Sequence, residues 1–167
     1  MKEVTPKYTV IHARTLEAQT FEKGLAQAHV AFGVDPRVGL EYPADLISTI
    51  LKPLGMQNSS ILMITDGKNP SVAEQLSSNP VIGPYFQVVA LEVSTVTGDM
   101  MLGILSEIFI GNPCSTFSQY IAQVRYALGI GNSYIFSRRD GDKWETFCSS
   151  DEACFYTWQQ IWIEISA

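Results

Sequence analysis

The sequence has little positive charge and no long apolar run. Its 167 residues hold 11 Lys and Arg against 17 Asp and Glu, a formal net charge of -6. Its one adjacent basic pair, Arg138-Arg139, is followed at once by Asp140, so a nucleic-acid partner is not expected. The most hydrophobic stretch, "MMLGILSEIFIG", is short and contains Glu107, so no segment is predicted to span a membrane.

Several short motifs and spacings are also missing. There is no GxGxxG, no GxxxxGK[ST] and no GxSxG, which argues against a dinucleotide fingerprint, a P-loop and an α/β-hydrolase. Cys114, Cys148 and Cys154 do not have the spacing of a zinc site, so no metal is predicted. Two interpretations of Cys148 and Cys154 stay open: a disulfide, which requires an oxidising compartment, or two independent thiols.

What the sequence does contain is an alternation of strand-like and helix-like segments. Strands are predicted at "YTVIHAR", "SILMITDG", "QVVALEVS", "IFIGN" and "SYIFSRR". Helices are predicted at "ADLISTILKPLG", at "NPSVAEQLSS" with Asn69 as N-cap and Pro70 at the first position, at "GDMMLGILSE" beginning near Asp99, and at "STFSQYIAQVRYALG" ended by Gly129. "TLEAQTFEKGLAQAHVAFG" has some helical character, "DGDKWETFCSS" is predicted to be turn and loop, and "FYTWQQIWIEI" fits either a helix or an edge strand. The alternation predicts one α/β domain over residues 1–167, Rossmann-like, with three layers and a mainly parallel sheet.

Ligands of such sheets bind beyond the carboxyl ends of the strands, so residues that follow strands are the candidates. Arg14 ends the first strand, and its planar fork suits a phosphate. His12 lies two residues earlier and therefore faces the same side of that strand. The alternative is a solvent-exposed salt bridge for Arg14 and an ordinary polar contact for His12, and the spacing alone favours that alternative.

The start of the last predicted helix is a second candidate. Ser115, Thr116 and Ser118 lie where free backbone N–H groups and the helix dipole favour an anion. An ordinary N-cap explains the same residues. Asp66, after the second strand, and Asp99 are candidate acceptors, although a helix N-cap is the favoured role for Asp99.

Two blocks of the sequence resemble the GDP-fucose-dependent fucosyltransferases, especially the protein O-fucosyltransferase group. The first is the His-x-Arg of "VIHAR". The second is an acidic pair eight residues apart, then Phe-Ile-Gly-Asn, two residues, and Ser-Ser/Thr-Phe; here these are Asp99, Glu107, Phe109 to Asn112, and Ser115 to Phe117. The resemblance covers most of the chain from Tyr8 to Gly129 and implies the donor-binding, C-terminal half of a GT-B glycosyltransferase.

The resemblance also implies a chemistry and a setting. Arg14 would grip the β-phosphate of GDP and carry catalysis. Ser115, Thr116 and Phe117 would bind the diphosphate, with Asn112 in the same motif, and Asp99 and the His12 region would lie near the nucleoside. No metal or other cofactor is implied, the reaction would be inverting transfer of fucose to a hydroxyl of a protein or glycan, and the compartment would be the endoplasmic reticulum or Golgi lumen. The family's N-terminal half does not fit before His12, so a domain of a larger enzyme is expected. The alternative is a non-catalytic nucleotide- or glycan-binding module, or an interaction domain, of Rossmann-like fold.

Overall fold

The protein, seen here as a computed structural model, is built on one six-stranded sheet. The structure describes residues 7–13, 44–56, 58–68, 70–90, 95–111, 115–138 and 144–148. The strands are β1 (Tyr8–Ala13), β2 (Ser60–Thr65), β3 (Phe86–Val88), β4 (Ile108–Gly111), β5 (Ser133–Arg138) and β6 (Trp144–Cys148). The helices are α1 (Ala44–Leu51), α2 (Pro70–Ser78), α3 (Val96–Leu105) and α4 (Thr116–Ala127), with a short 3-10 turn at Gly83–Tyr85.

The strand order is β3-β2-β1-β4-β5-β6, and the first five strands of the chain are parallel. The chain therefore builds outward from β1 in one direction through β2 and β3, and then returns to the other side of β1 to add β4 and β5. The point where the order reverses lies between β1 and β4, which pair from Thr9↔Ile108 to Ile11↔Ile110. In open parallel sheets, a reversal of this kind leaves a crevice at the carboxyl ends of the two strands.

Helices cover both faces of the sheet because the strands are apolar on both sides. Ile11 and Ile110 pack with Ile47 of α1 and Leu76 of α2 in one buried cluster. The alternate strand residues Val10 and Phe109 pack on the other face, where the buried helix residues are Ile104 of α3 and Ile121 of α4. The three-layer Rossmann-like arrangement predicted from the sequence is therefore confirmed.

Most of the predicted elements that lie in the described ranges are found. The strands β1, β2, β4 and β5 and the helices α1, α2 and α4 lie where the periodicity places them. Pro70 is the first residue of α2, as expected of a residue whose missing N–H would have no partner there. Gly129 follows α4 with φ of 70°, the left-handed conformation that commonly ends a helix at glycine.

Three predictions about elements are wrong. "WETFC", interpreted as loop, is the antiparallel strand β6, paired with β5 from Arg138↔Trp144 to Ile135↔Cys148. Asp140-Gly141 is a typical turn sequence, but the aromatic and β-branched residues that follow it favour an edge strand. The third strand, predicted over Gln87–Ser94, runs only from Phe86 to Val88, because β2 pairs with it at three positions alone.

The start of α3 is the third error. The helix begins at Val96 rather than near Asp99, because Thr95 is the N-cap and its hydroxyl accepts from the N–H of Gly98 at 3.0 Å. Asp99 is therefore a first-turn residue and not a cap. Thr95, three residues before Gly98, therefore caps α3 in place of Asp99.

Several predictions fall outside the described residues and stay predictions. They concern Arg14, Asn69, Asn112, Cys114, Cys154, the segment 15–33 and the aromatic segment 155–165. The assignment of residues 1–167 to one domain is likewise still a prediction. Across the ranges that the structure does describe, no helix combines the length and the apolar character that a bilayer crossing requires.

Candidate functional site

The carboxyl end of β1 meets the start of α4 through one short contact. Nδ1 of His12 lies 2.6 Å from Oγ of Ser118, although 106 residues separate the two along the chain. His12 is 5% exposed and Ser118 is fully buried. The ring of Phe117 lies against the same imidazole, with centroids 5.0 Å apart and planes tilted by 55°. The structure therefore brings His12 and Phe117, two of the predicted site residues, into contact at the reversal of strand order.

Gly111, the last residue of β4, allows this close approach. A Cβ built on it would lie 2.9 Å from Cβ of Ser118 and 3.1 Å from its Oγ. Side chains do not approach one another this closely, so any larger residue would push α4 away from the sheet. The Phe-Ile-Gly-Asn of the sequence thus has its glycine where helix and strand touch.

The first turn of α4 presents backbone donors. Ser115 is the N-cap: its hydroxyl accepts from the N–H of Ser118 at 3.4 Å, and its carbonyl accepts from the N–H of Gln119 at 3.1 Å. The N–H groups of Thr116 and Phe117 point out of the helix start and have no acceptor within the helix. No acidic residue occurs in this turn, so the positive end of the α4 dipole is not neutralised by the helix's own side chains.

Asp66 lies at the same edge of the sheet, directly after β2. Its Oδ1 accepts from the N–H of Lys68 at 3.2 Å, and Oγ1 of Thr65 accepts from the N–H of Gly67 at 3.2 Å. The side chain thereby shapes the turn that leaves β2, which is a common use of an aspartate in this position. Thr65 of β2 pairs with Ala13 of β1. In the sequence, Asp66 follows Thr65 and Arg14 follows Ala13.

Asp99 lies on the neighbouring helix. The backbone N–H of Glu107 donates to the carbonyl of Tyr8, at the beginning of β1, so α3 ends at the amino edge of the sheet and starts toward the carboxyl edge. Asp99, in the first turn of α3, therefore lies toward the carboxyl edge of the sheet, where the candidate site is. Glu107 lies at the amino edge. The two acidic residues of the motif therefore lie at opposite ends of α3 and do not form one cluster.

Arg14 and Asn112 lie outside the described residues. They follow Ala13 and Gly111, the last residues of β1 and β4, and these two strands are hydrogen-bonded neighbours. Their roles in binding remain predictions, as do those of the other candidate residues.

Sequence reasoning missed the part played by Arg125. This arginine is completely buried. Its Nη1 donates to the carbonyls of Gly103, Ile104 and Ser106, the shortest of these at 2.6 Å, and its Nη2 donates to the carbonyl of Gly131 at 2.6 Å. It therefore satisfies the last carbonyls of α3, which otherwise have no helical partner.

Burial lowers the pKa of Arg125 to about 10, while the nearby carboxylate of Glu107 and the hydroxyl of Tyr8 act in the opposite direction. Arg125 is thus charged at neutral pH. A signal for its burial was present in the sequence, since Ser118, Ile121, Ala122 and Arg125 recur at helical spacing and all four are buried.

The chain is therefore a Rossmann-like layered domain in which a strand end and a helix start converge at the reversal of strand order, the place where open α/β sheets bind their ligands. Two solved structures of POFUT1, a GDP-fucose protein O-fucosyltransferase, are similar to this chain. For POFUT1 in complex with GDP the TM-score is 0.52 at 15% identity, and the match covers 78% of this chain and 42% of that chain. For the apo-form the TM-score is 0.54 at 14% identity, covering 78% and 41%.

These matches confirm, at the level of the fold, the resemblance to O-fucosyltransferases predicted from the motifs. The chain spans about two fifths of the length of the POFUT1 structures that it matches. No protein-family model matches the sequence, and no curated protein is similar enough to it to count as a match.

Proposed function

We propose that this chain is the donor-binding domain of a GDP-fucose-dependent glycosyltransferase. It binds the diphosphate of the nucleotide sugar at the carboxyl edge of the sheet, between the end of β1 and the start of α4. The reaction is inverting transfer of the sugar to a hydroxyl of a protein or glycan acceptor.

The observation that carries the proposal is the contact between His12 and Ser118. It brings the strand that leads into Arg14 against the first turn of the helix that offers the Thr116 and Phe117 N–H groups. In the proposal, the guanidinium of Arg14 and the N-terminus of α4 bind one anion with several oxygens, a ligand for which both kinds of group are suited. The fold in which they meet is shared with POFUT1, for which a structure in complex with GDP exists.

The chemistry asks for stabilisation of charge on the leaving diphosphate. As the bond from the sugar to the β-phosphate breaks, negative charge grows on the phosphate oxygens and the sugar becomes oxocarbenium-like. Fixed donors stabilise such growing charge most effectively when they need no rearrangement during the reaction. Arg14 would supply a charged fork and α4 its backbone N–H groups. The proposal includes no metal.

Calorimetry with GDP tests the site. We expect Arg14→Ala to weaken GDP binding by about 10- to 100-fold, the range for losing hydrogen bonds to a charged group. Arg14→Lys should fall between, because an ammonium keeps the charge and loses the fork. Lys52→Ala is the matched control: it removes the same charge from an exposed side chain directly after α1. Unchanged affinity in Arg14→Ala would contradict the site.

Thermal shift with a set of nucleotides tests the donor. GDP and GDP-fucose should stabilise the protein more than UDP, ADP or free phosphate at equal concentration, because the ligand with the lowest Kd stabilises the folded state most. Greater stabilisation by another nucleotide would assign the fold to a different ligand.

A second candidate function is binding without turnover. The POFUT1 matches extend over only 42% and 41% of those chains, so more than half of each POFUT1 chain has no counterpart in the comparison. Release of GDP from GDP-fucose in the presence of acceptor separates the two: the transferase proposal predicts it, and saturable binding without it supports the binding module.

A further inference from the structure

We propose that Ser118 is a positioning residue of the nucleotide site: it holds the imidazole of His12 through Nδ1 and thereby sets the distance between the end of β1 and the first turn of α4. This inference rests on the proposed function, because it assigns a role within the same site. Ser118 does not touch the nucleotide in this scheme.

The contact is a buried one. Oγ of Ser118 and Nδ1 of His12 are 2.6 Å apart, with Ser118 fully buried and His12 5% exposed. Water does not compete for a hydrogen bond between buried groups. Loss of this hydrogen bond therefore changes the surrounding structure more than loss of a surface hydrogen bond would.

The contact also joins β1 and α4, the two elements that the proposed diphosphate site uses. Ser118 is the third residue of α4, directly after Thr116 and Phe117, whose N–H groups form the helix end of the site. His12 is two residues before Arg14. A displacement of the imidazole relative to α4 therefore changes the separation between the end of β1 and the start of α4, and a misplacement of about 1 Å is enough to cost a large part of productive binding geometry.

Gly111 shows that this junction is tightly packed. The space that its missing Cβ leaves is filled by Ser118, whose Cβ would be 2.9 Å away. Ser118 thus contacts β1 by hydrogen bonding and β4 by packing, and the three elements are held as one unit. A serine is the smallest side chain that can do both.

The competing interpretation is that His12 binds the ligand itself through Nε2 and that Ser118 only fills space. Two substitutions separate the two ring nitrogens. An asparagine places an amide atom where Nδ1 lies, and a glutamine places one where Nε2 lies, because the number of bonds from Cβ is the same in each case.

The experiment measures GDP affinity of the full chain by calorimetry for Ser118→Ala, His12→Asn and His12→Gln. We expect Ser118→Ala to weaken GDP binding by several-fold, up to about tenfold, the equivalent of one buried hydrogen bond. His12→Asn should bind GDP more tightly than His12→Gln. Ser106→Ala is the control, because Ser106 is also buried and its hydroxyl also makes hydrogen bonds. Ser106 lies at the C-terminal end of α3, at the amino edge of the sheet. Its replacement should therefore lower stability and leave the GDP affinity unchanged.

A second measurement needs no ligand. The chain has two histidines, and His12→Asn identifies the imidazole nitrogen signals of His12. The Nδ1 resonance should move in Ser118→Ala if the contact exists in solution.

Each result decides something. Wild-type affinity in Ser118→Ala, or tighter binding by His12→Gln than by His12→Asn, overturns the inference and leaves the proposed function intact. An Nδ1 signal that does not respond to Ser118→Ala overturns it as well. Failure of the wild-type protein to bind GDP overturns the proposed function and removes the site on which the inference rests. If Ser118→Ala does not fold, the His12 pair still gives the answer.

Discussion

Two helix ends on the same face of the sheet, the C-terminus of α3 and the N-terminus of α4, differ in how their backbone groups are satisfied. At the amino edge, α3 ends against a buried arginine: Arg125 donates to the carbonyls of Gly103, Ile104 and Ser106. At the carboxyl edge, α4 starts with Ser115 as its cap and with no acidic residue in its first turn. The C-terminal carbonyls of α3 are therefore satisfied by a buried cation, whereas the side chains in the first turn of α4 include no anion.

This difference separates a structural arginine from a candidate ligand arginine. Arg125 and the N-terminal residues of α4 belong to one continuous stretch of sequence. By residue type alone, the arginine and the serine and threonine at the start of α4 could each bind a phosphate. Arg125, however, uses its donors on protein carbonyls and lies at the amino edge, so its charge serves the fold. The role of an arginine in a motif therefore depends on the acceptors that its N–H groups already contact.

The largest effect is expected from removing the arginine of the amino edge. Arg125→Leu should lower the free energy of unfolding by about 3 kcal/mol or more, because several buried carbonyls lose their donors together. Urea unfolding measures it. GDP affinity, measured under conditions where the variant is still folded, should be close to that of the wild type.

Arg125→Lys is the control for charge. An ammonium restores the charge but not the planar fork that reaches α3 and Gly131 together, so stability should be only partly restored. Equal stability of Arg125→Leu and wild type would contradict the role given to the arginine, and loss of GDP binding in a folded variant would erase the distinction between the two edges.

A smaller effect is expected from crowding the junction at the carboxyl edge. Gly111→Ala adds a Cβ 2.9 Å from that of Ser118, which should cost about 1–3 kcal/mol of stability, the usual range for overpacking. It should also weaken GDP binding, since α4 must move away from β4. Gly131→Ala is the matched control, because a Cβ there meets nothing within 4 Å. A crowded variant with unchanged affinity would show that the spacing of β4 and α4 does not matter to the ligand.

The smallest effect sharpens the comparison within the carboxyl edge itself. Thr95→Ala and Ser115→Ala each remove a helix N-cap, from α3 and α4 respectively, and each should cost about 1 kcal/mol in thermal unfolding. The GDP affinity should fall only in Ser115→Ala, because only α4 is assigned to the diphosphate. Equal losses of affinity in both variants would extend the site to α3.

The secondary structure of this protein was predictable where it depends on local pattern. The buried strands β1, β2 and β4 are β-branched runs, and α4 combines helical spacing with Ser115 before it and Gly129 after it. Prediction failed at β6, since a short edge strand has little hydrophobic pattern of its own and depends on pairing with β5. It failed at the start of α3 because either Thr95 or Asp99 could cap a helix, and the choice depends on which turn packs.

The candidate site was predictable in its location and not in its contacts. Parallel strands direct their carboxyl ends to one edge, so His12, Asp66 and the start of α4 had to lie on the same side of the sheet. The sequence could not show that His12 meets Ser118, because that pair is 106 residues apart.

By itself, the sequence determined most of the strands and helices and that their alternation forms a layered, mainly parallel sheet, because hydrophobic periodicity and helix caps act over a few residues. The tertiary structure alone decided which polar groups are occupied. Arg125 lies against carbonyls of another helix, and Ser118 lies against a histidine from another strand. These partners are set by packing between distant parts of the chain, and no local rule encodes it.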